Sequence, residues 1–305
     1  MPRSPLARAF AVTIGAAAAM ALLAGCTVSP DGEVGNPGTK AKPTASASAT
    51  PDVQKVSGDL EVQDSKLKDS LGEYTPVKLR DDSDALKIPE SLVDLSEGGS
   101  YSKAKAVEAA QWVARFAGSD VIDGVGLDTG EPGWNDWKQG RADRFISTYA
   151  KDAILGPLVE GDAAGQRSLV VLATPSNGRF PQMVRDGGPR LTGGTVEVTG
   201  VKTVVPEDVT GIVVTGKTTA SYRVLSSNAK ELMKSISPKN TDEIMEPYYP
   251  EMYSKKIVPF ELTDEWSYSV YMEEGEWKIY NYYTKWDSDF KHDSKAGNSS
   301  KPETD

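Results

Sequence analysis

Apolar and polar residues alternate on both sides of Glu274-Gly275, in the run ELTDEWSYSVYMEEGEWKIYNYYTKW from Glu261 to Trp286. A period of two belongs to a strand, and Glu-Gly between two such runs predicts a long hairpin turning at those residues. Pairing starts with Glu273 opposite Glu276 and, counted outward, sets Met272 with Trp277, Val270 with Ile279, Tyr268 with Asn281 and Trp266 with Tyr283 on one face. The other face takes Tyr271 with Lys278, Ser269 with Tyr280 and Ser267 with Tyr282. The first face is apolar near the turn and becomes aromatic with polar tips further out. Packed core is the plainer reading of it. A ligand cavity lined by Trp266, Tyr268, Asn281 and Tyr283 is the alternative.

Upstream the period changes. Ala106, Ala109, Val113 and Phe116 recur at helical spacing with Trp112 beside them, and Glu108, Gln111 and Arg115 fall opposite. This predicts a helix from Ser102 to Ala117, capped by Ser100 or Ser102 and ended by Gly118. Ala142, Phe145, Ile146, Tyr149 and Ala153 predict a second helix from Trp134 to Ala153. Ser168 to Ala173 reads as a short buried strand. Thr195 to Val205 and Gly211 to Leu225 alternate about Pro206-Glu207-Asp208 and form a second hairpin. Asn228 to Met233 is a helical excursion, and a proline-rich connection runs from Ile236 to Met252. Helices first and antiparallel strands afterwards make an α+β fold.

The other informative pattern lies at the start. Arg3 and Arg8 precede an apolar run from Ala9 to Ala24, which is too short for a membrane span and has the order of a secretory signal. Leu23-Ala24-Gly25-Cys26, directly after that run, resembles the lipobox of bacterial lipoproteins. The resemblance implies cleavage before Cys26 and diacylglycerol on its sulfur, with palmitate-type acyl chains anchoring the protein to the outer face of the cell membrane. Cys26 is the only cysteine, so its lipidation leaves no thiol for a disulfide, a metal or a nucleophile.

Composition then divides the chain of 305 residues. Residues 1–25 are the signal peptide, and 26–58 the lipidated cysteine and a tether rich in Pro, Gly, Ser, Thr and Ala. That tether buries too little to fold and reaches roughly 100 Å when extended. Residues 59–86 read as an irregular arm, 87–290 as the folded domain and 291–305 as a disordered tail holding the only histidine, His292. The formal charge is −10 and becomes more negative when Arg3 and Arg8 leave, which argues against nucleic acid as a partner.

Helices followed by GTVEVTGVKTVV, GIVVTGKTTASYRVL and the closing hairpin resemble the cone-shaped superfamily of nuclear transport factor two and ketosteroid isomerase. That likeness implies a bent sheet wrapped around N-terminal helices. Enzymes of the superfamily place Asp, Tyr, His or Arg inside the cone, whereas the face read here offers Trp266, Tyr268, Asn281 and Tyr283 and no carboxylate. Asp120, Asp123 and Asp128 are loop acids able to reach a cone mouth. Ser65-Lys68, Ser100-Lys103 and Ser227-Lys230 match a short serine–lysine motif, but Lys217-Thr218-Thr219 is not its K-T-G companion. No spacing supports a metal or another cofactor, and no catalytic residue is assigned. The expectation is a non-enzymatic lipoprotein that binds a ligand, a protein partner or a cell-wall component. The alternatives are an isomerase- or dehydratase-type enzyme using an acid in the cone, and a solute-binding lipoprotein.

Overall fold

The structure is a computed structural model that describes residues 55–69, 71–124, 144–148, 150, 182–205 and 210–290. The leader, Cys26, the tether, Asp128, most of the second predicted helix, the Ser168 to Ala173 run and the tail with His292 lie outside these residues.

The described chain starts with short strands: β1 (Ser57–Gly58), β2 (Leu60–Val62), β3 (Leu67–Asp69), β4 (Gly72–Tyr74) and β5 (Val77–Leu79). β2 pairs with β5 and β3 with β4, so the region read as an irregular arm is two small antiparallel ladders. Leu60, Val77 and Leu79 are fully buried, which ties the arm into the core. Next come β6 (Val93–Asp94) and α1 (Lys103–Arg115). The Ser102 hydroxyl caps α1 by accepting from the Lys105 backbone N–H at 3.3 Å. Ala106, Ala109, Ala110, Val113 and Ala114 form the buried stripe.

Gly118 does not end this helix. The winding widens into a π-helix from Phe116 to Val121 and tightens into a 3₁₀ turn at Ile122–Gly124. Gly118 serves close approach: an added Cβ would stand 2.9 Å from Val196 Cγ2 and 3.1 Å from Leu79 Cβ. The second predicted helix is also interrupted. Phe145 and Ile146 are buried as their spacing predicts, but Ile146 makes a parallel bridge to Ile279.

Four long strands carry the rest: β7 (Leu191–Val204), β8 (Gly211–Leu225), β9 (Ile257–Glu273) and β10 (Glu276–Phe290). They are rich in Val, Thr, Ile and Tyr, which suit a pleated, half-buried surface. Each pairs antiparallel with the next, and β1 and β6 pair parallel with β7. Between β8 and β9 the predicted excursion and proline-rich connection become α2 (Ser226–Ile236), α3 (Asp242–Tyr248) and α4 (Pro250–Ser254). Met233, Met245 and Met252 bury these helices in a second cluster with Phe260 and Phe290. Helices and strands together make an α+β fold.

α1 packs on one face of the sheet, where Val113 and Phe116 meet Val214, Trp266, Tyr268 and Val270. Burying an apolar side chain of this size contributes about 2 kcal/mol. The opposite face is solvated. There Glu197, Lys217, Glu265 and Lys285 form an alternating charge row across β7, β8, β9 and β10. Cross-strand neighbours of opposite sign favour this register over its neighbours.

Candidate functional site

The closing hairpin turns at Glu274 and Gly275 as predicted, with φ of 52° and 87°. Two positive φ values give the tight turn whose twist matches antiparallel strands. Pairing follows the predicted register from Glu273–Glu276 to Val270–Ile279 and then slips. A bulge at Tyr280 leaves that residue unpaired, so Ser269 faces Asn281, Tyr268 faces Tyr282 and Trp266 faces Thr284. One extra residue sends every later side chain to the other face. Asn281 and Tyr283 are therefore on the solvated face, and Tyr283 is 64% exposed. Tyr282 takes the place expected of Asn281. Its ring lies 6.4 Å from that of Tyr268.

Trp266 and Tyr268 are on the helix-packed face, but they are core. They are 2% and 0% exposed. The Tyr268 ring meets Phe116 edge-on at 5.4 Å and Trp266 at 5.6 Å. The Trp266 indole N–H donates to Thr218 Oγ1 at 2.8 Å. Its ring lies across Gly216, where any side chain would collide with it.

The same face does carry an acid, contrary to the expectation of none. Asp264 precedes Trp266 by two residues and so shares its face. It is 2% exposed, and among the described residues neither carboxylate oxygen meets a well-aligned donor. Burial pushes its carboxyl up to about 8; the Lys285 backbone N–H offsets part of that rise and the Glu265 charge adds to it. The acid is thus protonated near neutral pH. Beside it is a void of about 10 Å³, bounded by Ile122, Thr218, Tyr222 and Leu262. That is room for about one water, with none for a substrate. Tyr222 closes one side by donating from its hydroxyl to the Ile122 carbonyl at 2.9 Å.

A larger space lies elsewhere. A cleft of about 430 Å³ runs between the arm and the π-helical end of the first helix. Tyr74, Pro76 and Leu67 give it apolar surface, and Leu67 is 45% exposed there. Lys78 and Arg144 bring positive charge to the lining, and Asp120 and Asp123 bring negative charge. The two described members of the predicted loop-acid trio thus come together at this cleft. Lys78 is steadied by Glu61 at 3.0 Å, and Ser119 accepts from the Leu79 N–H at 3.0 Å.

Three arginine–aspartate pairs tie the arm, the helix end and the sheet together. Arg185 meets Asp69 at 2.7 Å, Arg190 meets Asp123 at 3.0 Å and Arg223 meets Asp186 at 2.6 Å. Arg190 is fully buried and also donates to the Asp123 carbonyl. The guanidinium carbons of Arg185 and Arg190 lie 4.9 and 4.5 Å from the centre of the Tyr74 ring. Sequence spacing gives no hint of this cluster, because its members come from the arm, the helix end, the segment before β7 and β8 itself.

Among the described residues, no group of three or more His, Cys, Asp or Glu is placed to hold a metal ion. No helix among them is long and apolar enough to cross a membrane. Compared with protein families, curated proteins and solved structures, the chain matches none.

Proposed function

We propose that this chain is a lipoprotein, held on the outer face of the cell membrane by a diacylglycerol on Cys26, that presents a cone-shaped α+β domain for binding. The domain resembles the nuclear transport factor two and ketosteroid isomerase superfamily in element order: a helix on one face of a long antiparallel sheet. The anchor rests on the charged, apolar and small-residue order that ends in Leu23-Ala24-Gly25-Cys26. Two acyl chains bury enough methylenes, at about 0.8 kcal/mol each, to hold the chain on the membrane.

One observation carries the binding role over catalysis. Trp266 and Tyr268 are buried against Phe116, and the space beside the acid on that face is about 10 Å³. A filled interior leaves recognition to surfaces outside it, toward a protein partner or a cell-wall component. Asp264 supports the second reading, an isomerase- or dehydratase-type enzyme, because a protonated acid in an apolar site is a general acid in waiting. That reading requires the interior to open by far more than one water. Growing cells with labelled palmitate tests the anchor: label on the wild-type chain and none on Cys26→Ala is the expected result. Label on both, or on neither, contradicts it.

A further inference from the structure

We infer that the solvated face of the long sheet is an interface with a second copy of this chain, the two sheets packed face to face about a twofold axis that runs along the strands between β8 and β9. This interface goes beyond the anchor and the binding role and depends on neither.

The charge row carries it. Glu197, Lys217, Glu265 and Lys285 stand side by side on β7, β8, β9 and β10, and all four are exposed. Among the described residues none of the four closes an ion pair, so their charges are open to a partner. The twofold lays β7 over the partner's β10 and β8 over the partner's β9. Glu197 then faces the partner's Lys285, and Lys217 faces the partner's Glu265. Symmetry repeats both contacts, so every charge in the row meets its opposite. A twofold axis across the strands would instead set each charge of the row against its own copy, which is repulsive.

The neighbouring rows agree with the same axis. Gly200, Thr215, Ser267 and Tyr283 form the next row. Tyr283, 64% exposed, then lies over the partner's Gly200. Gly200 has no side chain, and apart from its chain neighbours only Thr215 Oγ1 is within 4 Å of where one would begin, so the ring meets a recess. On the other side Thr195, Thr219, Thr263 and Asp287 form a row in which Asp287 faces the partner's Thr195 and no like charges meet. The short hydroxyl side chains of these rows let two sheets approach to the usual spacing of about 10 Å. Strands about 4.8 Å apart, with about 3.3 Å per residue along the 14 residues of β7, give the four-stranded face roughly 900 Å², and a stable interface takes about 800 Å² per partner.

Sedimentation equilibrium of the full chain in density-matched detergent tests this. Wild type is expected to be a dimer that dissociates as salt is raised. Lys217→Glu brings like charges together at both central contacts, and so does Glu265→Lys; each is expected to raise the dissociation constant at least about tenfold. An equimolar mixture of the two variants is expected to restore a dimer, because opposite charges then meet at both contacts. Any change within one chain is the same before and after mixing, so recovery reports the contact between copies alone. Tyr283→Ala is expected to weaken the dimer with its melting temperature unchanged, and it decides the matter if a charge reversal fails to fold. A wild type that is monomeric at high micromolar concentration overturns the inference. So do single variants that dimerise like wild type, a mixture of folded variants that stays monomeric, or Tyr283→Ala dimerising as tightly as wild type. Failure of the dimer leaves the lipid anchor standing, and loss of the anchor leaves the dimer standing.

Discussion

Replacing Asp264 by Asn removes the buried carboxyl two residues from Trp266 on the helix-packed face. An aspartate in the unfolded chain releases its proton near pH 3.8, and Asp264 in the folded chain near 8. Between those values the folded state holds one proton more than the unfolded state, so stability falls as pH rises. The slope is about 1.4 kcal/mol per pH unit, and the whole window is worth on the order of 5 kcal/mol. This contribution is fully present below the unfolded value, is lost by about pH 8 and is flat above it. Urea unfolding of wild type and Asp264→Asn, from about pH 5 to about pH 9, isolates it. Other acids cancel in the difference, including Asp186, which Arg223 holds below the usual carboxylate range. The expected result is that Asp264→Asn gains on wild type steadily with pH and then levels off. A difference that stays constant across the range would refute the claim that burial holds this acid protonated.

Three further substitutions probe the architecture. Gly216→Ala places a methyl group against the Trp266 ring and the Glu197 carbonyl, and overpacking there should cost about 1–3 kcal/mol in urea unfolding. Adding Trp266→Phe should return part of that loss; no rescue would show that the carbonyl alone sets the limit. Arg190→Met strands Asp123 beside Tyr74 and should destabilise by about 3–5 kcal/mol, whereas a loss near zero would mean that water serves Asp123. Glu274→Asn puts a residue that tolerates positive φ at the first turn position and should raise stability by about 0.5 kcal/mol, seen as a higher melting temperature; a lower one would contradict the turn geometry.

The long elements were legible in the sequence because their periods are strong. Alternation about Glu274-Gly275 and from Gly211 to Leu225 identified the hairpins, and the spacing of Ala106, Ala109 and Val113 identified α1. The bulge was not legible. Tyr280, Tyr282 and Tyr283 are three tyrosines in four residues, so a slip by one changes the faces without disturbing the pattern. That slip exchanged Asn281 for Tyr282 beside Tyr268 and moved Tyr283 into solvent. Asp264 was legible in principle, since counting back by two from Trp266 reaches it. Its charged neighbours Glu261 and Glu265 make the stretch read as surface. The cleft and its arginine–aspartate pairs arise from segments far apart in the chain, such as Asp69 with Arg185, and no local period reports such contacts. Gly118 looked like a helix end because glycine often is one, yet here tight packing against Leu79 and Val196 requires it.

Fractionation of cells expressing wild type and Cys26→Ala tests the central claim most directly. Wild type should remain with the membrane pellet through a high-salt wash and be degraded by protease added to intact cells. Cys26→Ala should appear in the soluble extracytoplasmic fraction or the medium with the same melting temperature as detergent-extracted wild type. Retention of Cys26→Ala on the membrane, or protection of wild type from external protease, would contradict a domain displayed on the outer face by its lipid.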